Sequence, residues 1–383
     1  MNTIAKAMGI SALMVLCMLV PCINGIDADV EVEQVYVENK PITVVGYQTT
    51  DEVVKTLNKY SDLVEVSDNI SIDNGCYLID SDTVMHGSIE YGEIEQAVYN
   101  GTPVAVVGGG YEVVTAIGKT LGFNATSADM QAYGIRYDPE ADVQYVYSVS
   151  GFETEAEVAL EMYSLMNTVY SADVEILEGV GGAKVYEHTE NCGSFGKVNI
   201  STAYYAIEDS SDNYNFYMAH YKIQGIANGG HSKSLLGVSS DVSSDPTYGK
   251  YQRICDYGPT TESGSSSVSF NAGATVGYDG KPSVTVGFEA SWSHSYNDVT
   301  SVDGSDLETE HFEVNYDINE CTNSGYNTLM VEPGLVVAVG TDSDGAYHAV
   351  DNYKAQFCNV VIHGHWHNTF TNFSFPIEVE ILQ

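Results

Sequence analysis

Three histidines near the carboxyl end of the sequence have a spacing that could bind a metal. His363, His365 and His367 alternate in the segment His-Gly-His-Trp-His, inside a predicted strand over residues 360–370. Alternate residues of a strand project from one face, and imidazole nitrogens are ligands for zinc and copper. A fourth ligand would have to come from elsewhere in the fold. The pattern favours the alternative, a polar strand face or a pH-sensitive patch.

Glycine and aspartate loops suggest two other kinds of ligand. Gly108-Gly109-Gly110 falls between a predicted strand and a predicted helix, where backbone amides could hold an anion. The dinucleotide fingerprint requires a glycine where Val113 stands, so we interpret the loop as a tight turn and expect no cofactor. Asp303-Gly304-x-Asp306 and Asp342-x-Asp344-Gly345 resemble fragments of calcium loops. Such sequences also form turns without an ion.

Motifs for catalysis are not evident in the sequence. It contains no Gly-x-Ser-x-Gly elbow, no His-Glu-x-x-His segment and no pair of acids with an identifiable partner. We therefore predict that the protein is not an enzyme.

The most regular pattern in the chain lies between Ser267 and Tyr296. Apolar residues occupy the even positions from Val268 to Tyr278 and from Val284 to Trp292, while the odd positions carry hydroxyls, glycines, one asparagine and one glutamate. A period of two predicts strands, and Asp279-Gly280-Lys281-Pro282 predicts the turn between them. The segment therefore predicts an amphipathic hairpin.

A five-residue loop brings the two apolar faces of this hairpin together. It pairs Tyr278 with Val284, Val276 with Val286 and Phe270 with Trp292, so that every apolar residue meets another. Each arm is long enough to cross a bilayer, which takes roughly 9 to 11 residues of a tilted strand. The alternative is an ordinary hairpin whose apolar face packs on the core of a soluble β-sandwich.

Composition limits the possible partners. The chain has 383 residues and a formal net charge of -39, from 14 Lys+Arg against 53 Asp+Glu. This charge excludes a nucleic-acid role and argues against electrostatic capture by anionic lipid. We expect no nucleic acid among its partners.

The amino-terminal segment predicts export. Lys6 precedes an apolar run from Met8 to Cys22, and we predict a signal peptide over residues 1–28. An exported protein can keep disulfides. Beyond residue 190 there are four cysteines, an even number that suggests two bridges whose pairing the sequence leaves open. These candidates are Cys192, Cys255, Cys321 and Cys358.

Two regions with different periodicity follow the signal peptide. From about residue 41 to 178, predicted strands such as Pro103–Val107 alternate with predicted helices such as Tyr111–Leu121, which indicates a Rossmann-like α/β layer domain over residues 29–182. Gly179-Val180-Gly181-Gly182 is the predicted joint. After it the pattern is strands alone, which predicts an all-β domain over residues 183–383. The predicted class is α+β.

The second region carries residues in the order of a known family. They are Asp212, Tyr214-Asn215, Lys222, Gly225-x-x-Asn228-Gly229 and Asp256-Tyr257-x-Pro259, followed by the amphipathic hairpin. This order resembles the leukocidin/haemolysin family of β-barrel pore-forming toxins over about the second half of the chain. The resemblance implies a leukocidin-like β-sandwich whose stem hairpin, residues 267–296, leaves its folded position and inserts into a membrane.

The resemblance also implies roles for individual hairpin residues, and a lipid membrane and further copies of the chain as partners. The residues that would face lipid are Val268, Phe270, Ala272, Ala274, Val276, Val284, Val286, Phe288, Ala290 and Trp292. Those that would face the lumen are Asn271, Thr275, Thr285 and Glu289. Several copies would each contribute one hairpin to a closed ring.

Two further functions are compatible with the sequence. One is a secreted structural or adhesive protein of the cell surface, in which the hairpin stays packed. The other is a secreted ligand-binding protein or enzyme that uses the α/β half. In each case the expected location is extracellular, at a cell surface or a target membrane.

Overall fold

The computed structural model describes residues 36–37, 41–70, 75–169, 180–207, 214–228, 231–242, 251–260, 262–270, 275–276, 284–285, 290–318, 328–341, 345–359 and 369–382. The predicted signal peptide, residues 1–28, lies outside these ranges.

The first half of the chain alternates strands and helices, as its periodicity predicts. In chain order the elements are β1 (Tyr36–Val37), β2 (Ile42–Val45), α1 (Glu52–Tyr60), β3 (Val64–Ser67), β4 (Cys76–Asp80), α2 (Ser81–Met85), α3 (Tyr91–Tyr99), β5 (Val104–Val107), α4 (Glu112–Thr120), β6 (Phe123–Thr126), β7 (Ala132–Asp138), β8 (Val143–Ser150), α5 (Glu155–Asn167) and β9 (Thr168–Val169).

Helix α1 shows how local sequence sets these elements. Its apolar residues Val53, Val54 and Leu57 are buried on one side of the helix. The predicted cap, Thr49 or Thr50, is wrong, because Asp51 is the N-cap residue. The carboxylate of Asp51 accepts a hydrogen bond from the backbone N–H of Gln48 at 2.7 Å. A negative charge at this end is also favourable to the helix dipole.

The second half consists of strands apart from one 3-10 turn at Gly193–Phe195, within the described ranges. The strands are β10 (Val180–Asn191), β11 (Gly196–Ile207), β12 (Tyr214–Ala227), β13 (His231–Asp241), β14 (Gln252–Gly258), β15 (Glu262–Phe270), β16 (Thr275–Val276), β17 (Val284–Thr285), β18 (Ala290–Asp303), β19 (His311–Ile318), β20 (Thr328–Val331), β21 (Gly334–Gly340), β22 (Tyr347–Asn359) and β23 (Thr369–Ile381).

A twelve-stranded sheet, which we call the first sheet, runs through both halves. Its order is β14-β21-β12-β11-β10-β8-β7-β5-β4-β2-β3, with β20 also paired to β12. The predicted parallel pairing holds for β2 with β3 and β4, and for β4 with β5. It fails at β7, which is antiparallel to both β5 and β8. The α/β region is therefore a mixed sheet rather than a uniformly parallel one.

A seven-stranded second sheet packs on the first. Its order is β15-β18-β19-β13-β22-β23-β6. Tyr221 of the first sheet stacks on Phe312 of the second at 6.0 Å between ring centroids, and meets Tyr353 edge-on at 6.2 Å. All three side chains are fully buried. Two sheets around a shared apolar layer form a β-sandwich, consistent with the predicted α+β class.

The two halves are joined through both sheets. Strand β10 pairs in parallel with β8, with Lys184 opposite Gln144. At the other end of the chain, β23 pairs with β6, with Ile381 opposite Phe123. The largest apolar core also contains residues from both halves. The predicted division into domains at residue 182 stays a prediction, while the strands themselves are continuous across it.

Candidate functional site: the amphipathic hairpin

The two arms of the predicted hairpin pair in antiparallel fashion. Strand β15 pairs with β18, and β16 pairs with β17. The apolar residues meet one another, with Val268 opposite Trp292 and Phe270 opposite Ala290. The hydroxyl residues also meet, as in Thr275 opposite Thr285. The hairpin thus keeps one apolar face and one hydroxyl face.

The predicted register of the hairpin is wrong by two residues. Phe270 was predicted to pair with Trp292 and Val276 with Val286, whereas their partners are Ala290 and Val284. A shift of two leaves each side chain on its original face, because faces alternate with period two. The division of the hairpin into two faces is therefore unchanged. Several predicted positions, namely Ala272, Ala274, Val286, Phe288, Asn271 and Glu289, lie outside the described residues.

Val268 lies in a protein core in this structure. It is 1% exposed and belongs to an apolar cluster with residues of the first sheet. A Cβ atom placed on Gly258 of β14 would lie 3.3 Å from Cγ1 of Val268. Strand β16 also contacts β14. The hairpin is therefore folded back over the edge strand of the first sheet.

The cluster around Val268 occupies the outer face of the first sheet, which we call the docking face. Along β12, Phe216 and Met218 belong to this cluster, while Tyr217 and Tyr221 belong to the core between the sheets. Both docking-face residues of β12 are 1% exposed, as is Ala338 of β21. An apolar sheet face of this kind needs a cover, and Val268 supplies part of it. The sequence analysis missed the docking face, although the alternating apolar residues of β12 on both faces were the available signal.

Polar contacts fix the base of the hairpin. The hydroxyl of Tyr257 in β14 donates to Oδ2 of Asp303 at 3.1 Å, and the hydroxyl of Ser301 donates to the carbonyl of Thr260 at 3.3 Å. Burial raises the pKa of Tyr257, and its hydrogen bond to Asp303 raises it further. The tyrosine therefore remains a neutral donor across the ordinary pH range. These bonds tie the end of β18 to the strand that precedes the hairpin.

A second group of contacts lies beside this base. Arg253 Nε is 3.3 Å from Oε1 of Glu310, whose other oxygen accepts the backbone N–H of Ile254 at 2.7 Å. Burial raises the pKa of Glu310, and the bond from Ile254 and the charge of Arg253 oppose this rise. The hydrogen bonds of both carboxylates at the base are thus made within the protein, which leaves the apolar cluster as the main contact of the described arms with the rest of the fold.

The motif residues behind the family resemblance lie mainly along β12. The side-chain amide of Asn215 donates to the carbonyl of Gly345 at 3.2 Å, and that of Asn228 donates to Gly193 and Ser194 at 3.3 Å. Lys222 lies opposite Ser201 of β11. These residues hold the strand and its turns in place; their contacts are structural rather than catalytic.

The other candidate sites receive no support from the structure. His363, His365 and His367 lie outside the described residues, and within those residues no group of three or more His, Cys, Asp and Glu is arranged to hold a metal ion. Asp303 and Asp306 accept backbone N–H bonds from Ser305 and Glu308 at 2.9 and 3.0 Å, which is turn chemistry. The calcium alternative at these two residues is therefore not supported.

The glycine loop after β5 has the conformation of a tight turn. Gly108, Gly109 and Gly110 have φ values of 91°, 134° and 63°, which side chains other than glycine rarely adopt. The N–H of Gly108 donates to the carbonyl of Gln131 at 2.9 Å. This amide is committed to the fold, in agreement with the interpretation as a turn.

The cysteine predictions are partly wrong. Cys192 and Cys255 are free thiols, as is Cys76. Burial raises the pKa of Cys192 well above its usual value and that of Cys255 to about 12, so both stay protonated and unreactive. Cys358 is disulfide-bonded. Cys321 lies outside the described residues, and its pairing stays a prediction.

None of the helices in the described ranges is both long enough and apolar enough to cross a membrane.

Comparisons with known proteins were made for the whole chain. No protein-family profile and no curated protein matches the sequence. Two solved structures are similar to parts of it. A "Pore forming protein" aligns with 51% of this chain and 90% of its own, at 10% identity and a TM-score of 0.32. The membrane-inserted form of the NetB toxin of Clostridium perfringens aligns with 52% of this chain and 96% of its own, at 10% identity and a TM-score of 0.28. Similarity at this level leaves the family of the chain open, and the function has to be argued from its own residues.

Proposed function

We propose that this protein is an exported, membrane-inserting protein whose hairpin, residues 267–296, leaves the docking face and enters a lipid bilayer. Several copies would each add one hairpin to a closed transmembrane ring. The observation that carries the proposal is the position of Val268: a residue of the apolar hairpin face is buried against an apolar sheet face outside the sandwich core.

The exchange is physically reasonable because the apolar face remains out of water in both states. Burial of apolar area stabilises by about 25 cal/mol per Å² whether the cover is protein or hydrocarbon. The hydroxyl face, represented by Ser269 opposite Ser291 and Thr275 opposite Thr285, suits a water-filled lumen. What changes is the cover of the docking face, which further copies or a rearranged β14 would have to provide.

A single hairpin cannot remain alone in the bilayer. Its outer strand edges would leave backbone N–H and C=O groups without partners in hydrocarbon, at a cost of several kcal/mol for each group. Adjacent copies remove this cost if their hairpins pair edge to edge, and a ring closes the last edge. Insertion and oligomerisation are therefore coupled in this proposal.

The proposal predicts that locking the hairpin to the docking face prevents membrane leakage. Gly258→Cys with Val268→Cys places two thiols where a Cβ on Gly258 lies 3.5 Å from Cα of Val268, close enough for a disulfide. The Cys255→Ser background removes the neighbouring native thiol. We expect dye release from zwitterionic phosphatidylcholine vesicles to be lost in the oxidised protein and restored by reduction.

Each single-cysteine variant in the same background is the matched control and should leak with and without reductant. Equal leakage from oxidised and reduced double variant would contradict the proposal, as would the absence of leakage from the unmodified protein. Either result would favour a surface protein whose hairpin stays packed.

A further inference from the structure

A cavity opens at the side of the sandwich, far along the chain from the hairpin. It has a volume of about 290 Å³ and lies between β23 of the second sheet and the ends of β8 and β10 in the first. Strand β6 pairs only with residues Glu378–Ile381 of β23 and stops at Thr126. The preceding part of β23, from Phe373 to Ile377, therefore lines the cavity instead of pairing with β6.

The floor of the cavity is a buried polar network. His188 is 1% exposed, and its Nδ1 lies 2.8 Å from Oγ of Ser148, which in turn lies 2.7 Å from the hydroxyl of Tyr186. Its Nε2 lies 3.3 Å from Oγ of Ser150 and 3.4 Å from Oε2 of Glu190. Burying polar groups in a sandwich core is costly unless they are satisfied or used.

Two carboxylates face this cavity without a basic partner. Oε2 of Glu190 accepts from Ser150 and contacts His188, while neither Glu190 nor Asp129 forms an ion pair with lysine or arginine within the described residues. No lysine or arginine lines the cavity in the part of the chain that the structure describes. Its electrostatic character is therefore acidic, and a positive charge would complete it.

An aromatic wall stands opposite the polar floor. Phe373 and Phe375 stack at 6.3 Å between ring centroids and both line the cavity, together with Ile377. Aromatic faces attract cations as well as alkyl groups. A ligand with a charged head and a short apolar body would satisfy both sides of the space.

We propose that this cavity binds a small organic cation, a protonated amine with a short alkyl body. The ammonium group lies between Glu190 and Asp129, and the alkyl body lies against Phe373 and Phe375. Because such a ligand touches β8, β10 and β23, it links the two sheets and stabilises the folded chain by mass action. The binding is independent of membrane insertion and is measured without lipid.

The test compares n-butylammonium with 1-butanol, which has the same alkyl body without the charge. Isothermal titration calorimetry on the full chain should detect binding of butylammonium and none of butanol at matched pH and ionic strength. Glu190→Gln keeps the shape of the side chain but removes its charge, and we expect about a tenfold or greater loss of affinity. Asp129→Asn, at an exposed position, should weaken binding without affecting the fold.

Glu140→Gln is the matched control, because Glu140 is exposed and does not line the cavity. It should bind butylammonium as the unmodified protein does. The proposal is overturned if butylammonium does not bind, if butanol binds equally well, or if Asp129→Asn and a folded Glu190→Gln both retain full affinity. Binding of glucose in place of the amine would assign the cavity to a neutral polyol and would also overturn it.

Discussion

Val268→Asp abolishes membrane leakage and lowers the free energy of unfolding by about 2–4 kcal/mol, as expected for a charge placed in an apolar core. Val268 is 1% exposed within the apolar cluster of the docking face, which contains no basic residue. In the inserted state the same carboxylate would face hydrocarbon, which carries a depth-dependent penalty. The substitution therefore weakens both states that the proposal assigns to the hairpin. Denaturant unfolding and dye release measure the two effects separately.

The neighbouring substitution Ser269→Asp is the control for this prediction. Ser269 pairs with Ser291 on the hydroxyl side, where alternation puts it on the opposite face from Val268. We expect its unfolding free energy to stay within about 0.5 kcal/mol of the unmodified value and its leakage to persist. If Ser269→Asp and a folded Val268→Asp behave alike, the two faces of the hairpin have no separate roles.

Acidification from pH 8 to pH 5 stabilises this protein. Glu187 in β10 is 2% exposed, and burial raises its pKa from 4.5 to about 8 against the opposing effects of Ser201 and Lys222. Between these two pKa values the folded state holds a proton that the unfolded chain releases, so each rise in pH lowers the unfolding free energy. Burial also raises the pKa of Asp351 from 3.8 to about 6, which adds to the slope at lower pH. For Glu187 alone, the difference between pH 5 and pH 8 is roughly 2–4 kcal/mol.

Glu187→Gln tests this prediction because it keeps the hydrogen bond from Ser201, whose hydroxyl lies 2.8 Å from Oε1 of Glu187. The variant should show a flatter dependence of unfolding free energy on pH from 5 to 8, measured by urea denaturation at each pH. Exposed Glu140→Gln changes the net charge equally and should keep the original slope. A slope that is the same in all three proteins would mean that Glu187 ionises normally in the folded state.

Below this range another carboxylate acts in the opposite direction. Burial works against ionisation of Glu313, but hydrogen bonds from Lys354 and Asn315 hold its pKa at about 2. Its contribution to stability is present above pH 4.5 and is lost as the pH falls towards 2. The most stable folded state should therefore lie near pH 4 to 5 for these three groups.

The sequence was most informative where one periodicity ran without interruption. Helix α3 was predicted with its observed bounds, Tyr91–Tyr99, and the hairpin faces followed from strict alternation. Strand β22 was missed even though Tyr347, Ala349, Tyr353, Ala355 and Phe357 alternate along it, because Asp351 interrupts the apolar pattern. Asp351 is tolerated there because its Oδ2 accepts the hydroxyl of Tyr204 at 2.6 Å. Such a partner, 147 residues away in sequence, is invisible to a local pattern.

The candidate sites were harder to predict for the same reason. The docking face joins Val268 to residues of β10, β11, β12 and β21, and the cavity joins β8 and β10 to the distant β23. The hairpin register slipped by two residues because any even shift satisfies the same alternation, so that turn geometry alone decides among the options. The free thiols Cys192 and Cys255 likewise show that an even count of cysteines does not specify bonds.

The measurement that most directly tests the central claim is lipid contact along alternate positions of the hairpin. Single cysteines at Phe270 and Val276, and at Ser269 and Thr275, would carry an environment-sensitive fluorophore in the Cys255→Ser background. On addition of vesicles that contain a quencher in the acyl chains, we predict quenching at 270 and 276 and little at 269 and 275. Equal quenching at all four positions, or none at any, would contradict insertion of an amphipathic hairpin.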